Sequence, residues 1–215
     1  SISNSNGRMH ITNCTFQNST GSHFAINITG SRESICITDC VFENNVAPLI
    51  SIQSSGLIKI ADCMFQNNDL ARITIISSDD VNISNCTFQD NRNDYMLMTM
   101  FNSSGGIYIA DCSFLNNSVA YVVYAGLIEY IAITHCSFQG KVADSMYAYP
   151  SGMVAIAQMS NTSIAVLSDN TFHEDIDSKI FQYFTKMVKI LSQSYGSSIQ
   201  TLRLRASVSL IALLK

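Results

Sequence analysis

The stretch Ile58-Lys-Ile-Ala-Asp-Cys-Met-Phe-Gln-Asn-Asn68, with Ile73-Thr-Ile75 behind it, decides how the chain is read. Ile58 and Ile60 flank Lys59, the alternation of a strand that buries one face. A two-residue corner, Ala61-Asp62, resets the phase so that Cys63 and Phe65 both point inward. A second corner, Gln66-Asn67-Asn68, leads to a third strand in which Ile73 and Ile75 recur on one face. A helix would keep apolar residues at i, i+3, i+4 and i+7, and no window across the stretch does so.

The pattern recurs as Ile11-Thr-Asn-Cys-Thr-Phe16, Ile37-Thr-Asp-Cys-Val-Phe42, Ile83-Ser-Asn-Cys-Thr-Phe88, Ile109-Ala-Asp-Cys-Ser-Phe114 and Ile133-Thr-His-Cys-Ser-Phe138. Its cysteine stands at Cys14, Cys40, Cys63, Cys86, Cys112 and Cys136, at intervals of 26, 23, 23, 26 and 24 residues. Two weaker copies, Leu167-Ser-Asp-Asn-Thr-Phe172 and Ile190-Leu-Ser-Gln-Ser-Tyr195, pass the column to Asn170 and Gln193. Residues 176–191 could be drawn as an amphipathic helix, but Val188 to Tyr195 aligns with Ile58 to Phe65 without a gap. One such unit cannot bury its own apolar side, whereas units stacked at ~4.8 Å lay Ile on Ile, Cys on Cys and Phe on Phe. The expected fold is therefore all-β: a right-handed parallel β-helix solenoid of about eight coils of about 23 residues, three short strands each, forming a single domain over residues 1–215. Leucine-rich repeats share the period but need Leu-x-x-Leu-x-Leu and an asparagine ladder, and neither is read in this chain.

Phe42-Glu-Asn-Asn45, Phe65-Gln-Asn-Asn68, Phe88-Gln-Asp-Asn91 and Phe114-Leu-Asn-Asn117 resemble the Phe-x-x-Asn half of the polymorphic outer-membrane protein repeat. The companion Gly-Gly half occurs once, as Gly105-Gly-Ile-Tyr108. The chain as a whole also resembles the pectin-lyase-like β-helix of many surface and carbohydrate-active proteins. The resemblance implies a secreted or surface-exposed rod, adhesive or structural in many members.

Composition narrows the partners. The chain has 215 residues, 47% of them hydrophobic and only 13% charged, about half the ~25% of ordinary soluble domains, so Ser, Thr and Asn must supply the polar surface. A formal charge of −4 offers no pull toward nucleic acid. No apolar run reaches the ~18 residues of a membrane span.

The cysteine column offers no Cys-x-x-Cys pair, and its spacing is the repeat period, which does not converge on a metal. Neighbouring coils would bring Cα atoms inside the disulfide range of ~4.4–6.8 Å, but parallel Cβ vectors suit the dihedral poorly, so buried free thiols are expected. Cys36, between Ile35 and Ile37, should face outward as the one candidate reactive thiol. Eight Asn-x-Ser/Thr sequons begin at Asn13, Asn18, Asn27, Asn82, Asn85, Asn102, Asn116 and Asn161, all at corners or outward strand positions in this register. They read either as turn-forming asparagines or as N-glycosylation sites of an extracellular or cell-surface protein.

A catalytic reading has little to stand on. The galacturonase-type motifs Asn-Thr-Asp, Gly-His-Gly and Arg-Ile-Lys are absent, and Asp79-Asp80 is the sole echo of the set. A corner column runs through Asn13, Asp39, Asp62, Asn85, Asp111, His135 and Asp169, where Asp39 and Asp62 could share a calcium ion. Free exchange of Asp with Asn favours turn chemistry instead, and no cofactor is expected. His10, His23 and His173 find no partner in register.

The interval between Cys136 and Asn170 is longer by about ten residues, which places a loop insertion at 141–152, with Tyr147 and Tyr149 as possible binding residues. Ser1 cannot initiate translation, and neither end carries a readable cap. The chain is thus expected to continue into a longer rod or to self-associate end to end, with carbohydrate or a surface protein as further partners. The favoured function is a non-catalytic extracellular structural or adhesive rod; the alternative is a polysaccharide-acting lyase or hydrolase of the same fold.

Overall fold

Three strands per coil place every coil in three sheets at once, and the structure, a computed structural model, builds three parallel sheets of seven strands each. It describes residues 2–3, 7–139, 152–157 and 164–172. The eighth signature at Ile190, the sequon Asn161, Tyr147 and Tyr149, His173 and the C-terminal segment lie outside these residues. Of the proposed insertion only Gly152 is described, and it opens the strand Gly152–Ala157.

The first sheet carries the column Ile11, Ile37, Ile60, Ile83, Ile109, Ile133 and Leu167 in unbroken register. The second carries Phe16, Phe42, Phe65, Phe88, Phe114, Phe138 and Phe172 in the same way. In the third, Ile28, Ile52, Ile75, Met100 and Ala125 stack. From Phe16 to Phe138 consecutive rings lie 4.6–4.9 Å apart with interplanar angles of 2–11°. That separation is the ~4.8 Å strand spacing itself, so the backbone ladder and the ring stack reinforce each other.

The chain turns where a residue takes a left-handed backbone. After the first sheet these residues are Asn13, Asp39, Asp62, Asn85, Asp111, His135 and Asp169, with φ of 52–57°. After the second they are Asn18, Asn44, Asn67, Asp90 and Asn116, with φ of 52–55°. Asn and Asp tolerate this region because the short polar side chain bonds locally. The corner is one residue rather than two: Ala61 still belongs to the strand Ile58–Ala61, and only Asp62 turns.

Two expectations about asparagine are corrected here. Asn68, read above as part of the second corner, is buried, and an asparagine ladder does exist. Asn45, Asn68, Asn91 and Asn117 are buried one coil apart. Each of the first three donates Nδ2 to Oδ1 of the next, at 2.9, 2.9 and 3.0 Å. All four also donate to the Phe carbonyl of the preceding coil, at 2.8–2.9 Å. The chain direction changes there, so strand bonds alone would leave those carbonyls unpaired in an apolar interior. The Phe-x-x-Asn motif is therefore one ring for the stack and one amide for the ladder.

All seven cysteines are unbridged; Cys40, Cys63, Cys86, Cys112 and Cys136 are buried, while Cys14, expected in the buried column, is half-buried in the first coil, which has a neighbouring coil on one side only in its sheet. Each buried Sγ lies 3.1–3.3 Å from the carbonyl two residues before it. In the seventh coil Asn170 fills the place, donating Nδ2 to the Ile133 carbonyl at 2.8 Å and accepting from the Cys136 amide at 2.9 Å. Cysteine thus acts as a small apolar filler with a weak donor aimed at a corner.

Candidate functional surface

Outward residues follow the same columns, so any site must be assembled across coils. Asp39 and Asp62 sit one coil apart and exposed, as the strand register Thr38 to Ala61 requires. Asp62 Oδ1 accepts from Asn85 Nδ2 at 2.5 Å, and further along the column His135 Nε2 lies 3.8 Å from Asp169 Oδ2 in an exposed pair. Among the described residues no group of three or more His, Cys, Asp or Glu is placed to hold a metal ion.

Asp79-Asp80 and Gly105-Gly106, which the sequence presents as separate features, meet at the third corner. Asp80 Oδ1 accepts from the Gly106 amide at 2.7 Å, and the Gly105 amide donates to the Asp79 carbonyl at 3.0 Å. Ser104 Oγ reaches Asp79 Oδ1 at 3.1 Å. A Cβ on Gly105 would meet the Asp80 carboxylate and lie 2.8 Å from the Asp79 carbonyl oxygen. The glycine pair is there to let this corner close over the coil beneath it.

Thiol chemistry divides inside from outside. Burial pushes the Cys40 thiol up, while hydrogen bonding to Cys86 and then burial raise Cys63. Hydrogen bonds to Cys136 and Cys86, then burial, raise Cys112. Cys86 takes hydrogen bonds from Cys112 and Cys63 and would be the first of the stack to ionise. Cys136 is likewise lowered, chiefly by its hydrogen bond to Cys112, and in both thiols this outweighs burial and the opposing carboxylates of Asp62 and Asp111, so raised and lowered thiols alternate along the inner stack. Cys36 is different: it is half-buried on the outer side of the first sheet, in register with His10 on one side and Lys59 on the other. The expectation that His10 lacks a partner in register is thereby corrected, because in-register parallel pairing sets each outward residue of one strand beside an outward residue of the next.

One surface went unread in the sequence. The third-sheet strands Arg92–Phe101 and Ser118–Gly126 run 10 and 9 residues, against 6 for Ile73–Ser78. Their pairing shifts register between Asn93 and Met96, a bulge. The buried Asn93 side chain holds it, donating to the Ala71 and Met96 carbonyls at 2.7 and 3.1 Å and accepting from the Tyr95 amide at 3.0 Å. Tyr95 is pushed out to 52% exposure. Further along the same pair of strands Tyr124 lies 5.4 Å from Phe101 and 5.8 Å from Tyr121, ring to ring. On the adjoining first sheet Tyr108, 42% exposed, lies over Gly106 and 5.4 Å from Tyr130. The signal available was the non-alternating run Tyr95-Met-Leu-Met-Thr-Met-Phe101, which does not fit a single-faced strand.

The family described as the right-handed β-helix region matches residues 1–172, through every described coil. The chain belongs to the right-handed β-helix family. No curated protein and no solved structure matches it significantly. Membership in the right-handed β-helix family fixes the architecture and leaves the function to the surface. No helix among the described residues is long and apolar enough to cross a membrane.

Proposed function

We propose that this right-handed β-helix is a non-catalytic structural or adhesive rod that works outside the cell or at its surface. The observation that carries the reading is the use made of its carboxylates. All the aspartates of the first corner column, Asp39, Asp62, Asp111 and Asp169, stand at left-handed turns in line with Asn13, Asn85 and His135. Asp80 is taken up in capping Gly106. A hydrolase or lyase needs a carboxylate with a basic or acidic partner poised over a substrate cleft, and these groups are accounted for by turning the chain.

The adhesive contact is assigned to the ledge of Phe101, Tyr121 and Tyr124. Half-buried rings in ring-to-ring contact suit a neutral carbohydrate, whose apolar ring faces stack on aromatic faces. Incubated with a panel of acidic and neutral polysaccharides, the protein should release no products. Its migration should be retarded in gels containing a neutral polysaccharide, and Tyr121→Ser with Tyr124→Ser should remove the retardation. Product release abolished by Asp39→Asn or Asp62→Asn would overturn the reading in favour of the enzyme.

A further inference from the structure

Buried and outward asparagines of the described residues differ in sequence context as well as in position. Asn45, Asn68, Asn91, Asn93 and Asn117 are buried, and none of them is followed at the second place by Ser or Thr. All seven described sequon asparagines face outward: Asn27 is half-buried, and the other six are exposed. Asn44 and Asn67 also face outward and begin no sequon, so among the described residues seven of nine outward asparagines are marked and none of the five buried ones is.

The geometry of the sequons agrees with a use outside the core. In Asn82-Ile-Ser84 the two polar residues point outward from one strand and frame the buried Ile83. Asn13, Asn18, Asn85, Asn102 and Asn116 stand exposed at left-handed corners, with φ of 52–55°, Asn85 donating Nδ2 to Asp62 and Asn102 donating Nδ2 to Ser77 Oγ. The hydroxyl residues Thr15, Thr20, Thr87, Ser104 and Ser118 that complete their sequons are exposed or half-buried as well.

We infer that Asn13, Asn18, Asn82, Asn85, Asn102 and Asn116 are acceptors for N-linked glycans, which supply much of the hydrophilic surface that a chain with 13% charged residues lacks. The inference rests on the extracellular part of the reading above and names the modification of that rod. The donor is an oligosaccharide activated as a lipid-linked diphosphate. Nδ2 bonds the anomeric carbon, the bond from that carbon to the diphosphate oxygen breaks, the diphosphate leaves with the electron pair, and one Nδ2 proton passes to base. The second Nδ2 proton remains, so Asn85 keeps a donor for its bond to Asp62.

The full 215-residue chain is expressed behind a secretory leader in eukaryotic cells, and the secreted folded protein is treated with a peptide-N-glycosidase in heavy-oxygen water. The treated protein should lose mass, with heavy-oxygen label at the six asparagines. Thr87→Ala should remove the label at Asn85 alone, since the asparagine and its corner stay in place. Leu70→Ser puts a hydroxyl two places after Asn68 and so completes a sequon inside the ladder, and secreted folded protein should carry no label at Asn68. A secreted chain unchanged in mass by the glycosidase, or label at Asn68 equal to that at Asn85, would overturn the inference. Neither result touches the non-catalytic reading, whose polysaccharide assay is run on protein made in bacteria without glycans.

Discussion

The side-chain amide of Asn68 joins three coils: Nδ2 donates to Asn91 Oδ1 in the next coil at 2.9 Å and to the Phe42 carbonyl in the preceding one at 2.9 Å. Its Oδ1 in turn accepts from the amide nitrogen and Nδ2 of Asn45, at 3.0 and 2.9 Å. Few residue types present a donor and an acceptor on one short planar group, and the ladder needs both at every step. Ser19 holds the equivalent place in the first coil and contributes only its backbone amide to Asn45 Oδ1, at 3.0 Å.

Asn68→Ala should therefore cost far more than its volume suggests. It leaves the Phe42 carbonyl and the Asn45 amide without partners in the interior, each unmade bond costing about 1–3 kcal/mol. A loss of at least about 2 kcal/mol is expected by urea denaturation, with Asn67→Gly as the control. That change keeps the left-handed corner and should alter stability by less than about 1 kcal/mol. Equal effects of the two substitutions would mean that the ladder contributes nothing beyond the turn.

Gly105→Ala is predicted to destabilise by about 1–3 kcal/mol, since its Cβ would meet Asp80 Oδ1 and the Asp79 carbonyl, and overfilling a closed site costs that much. Asp80→Ala alone removes the cap on the Gly106 amide. The double variant should be less destabilised than the sum of the two, because truncating Asp80 vacates part of the space the new methyl needs. Strict additivity would show that the two residues do not share the corner.

The fold was legible because it is written once per coil. Ile60, Cys63 and Phe65 each recur at the strand spacing, and a column error would have turned every one of them outward. The ladder was harder to see: Asn67 and Asn68 are chemically identical, and only the backbone decides that one turns the chain while the next points into it. The Asp80–Gly106 cap and the neighbours of Cys36 were hidden for a related reason. They pair residues 26 and 23–26 positions apart whose types do not repeat, so no column announces them. The aromatic ledge depends on a bulge at Asn93, a local break in the pattern that a search for regularity passes over.

Stability should fall with rising pH above the ordinary thiol range. Cys40, Cys63 and Cys112 have thiol pKa values raised by folding from a reference of 9.0. Below that reference both folded and unfolded chains hold these three protons, and the contribution of these three thiols is fully present. Above it the unfolded chain releases protons that the folded one keeps, so unfolding becomes more favourable as pH climbs. Cys86 and Cys136, lowered by their bonds to Cys112, act the opposite way below the reference and add no slope above it, so urea midpoints are expected to decline from pH 9 to pH 11. Replacing Cys63 and Cys112 together by Ala should flatten the decline while lowering the midpoint at pH 7. An unchanged slope in that variant would assign the effect to tyrosine and lysine instead.

Alkylation should separate the one outward thiol of the first sheet from the column. Cys36 is half-buried on the outer surface between His10 and Lys59, whereas the five central thiols are 1–2% exposed. A buried thiol reacts only after its coils part, and an opening that costs ~4 kcal/mol slows reaction by about 1,000-fold. With iodoacetamide at pH 8 and no denaturant, the first adduct is expected at Cys36. Cys14, half-buried in the first coil, should follow, and Cys63, Cys86 and Cys112 should react only when urea is added. Cys36→Ser should abolish the first adduct and leave the unfolding midpoint in place, because that side chain packs against no core residue. Early adducts at Cys63 or Cys86 in the folded protein would show that neighbouring coils part readily, and the closed stack of cysteine and phenylalanine columns would have to be abandoned.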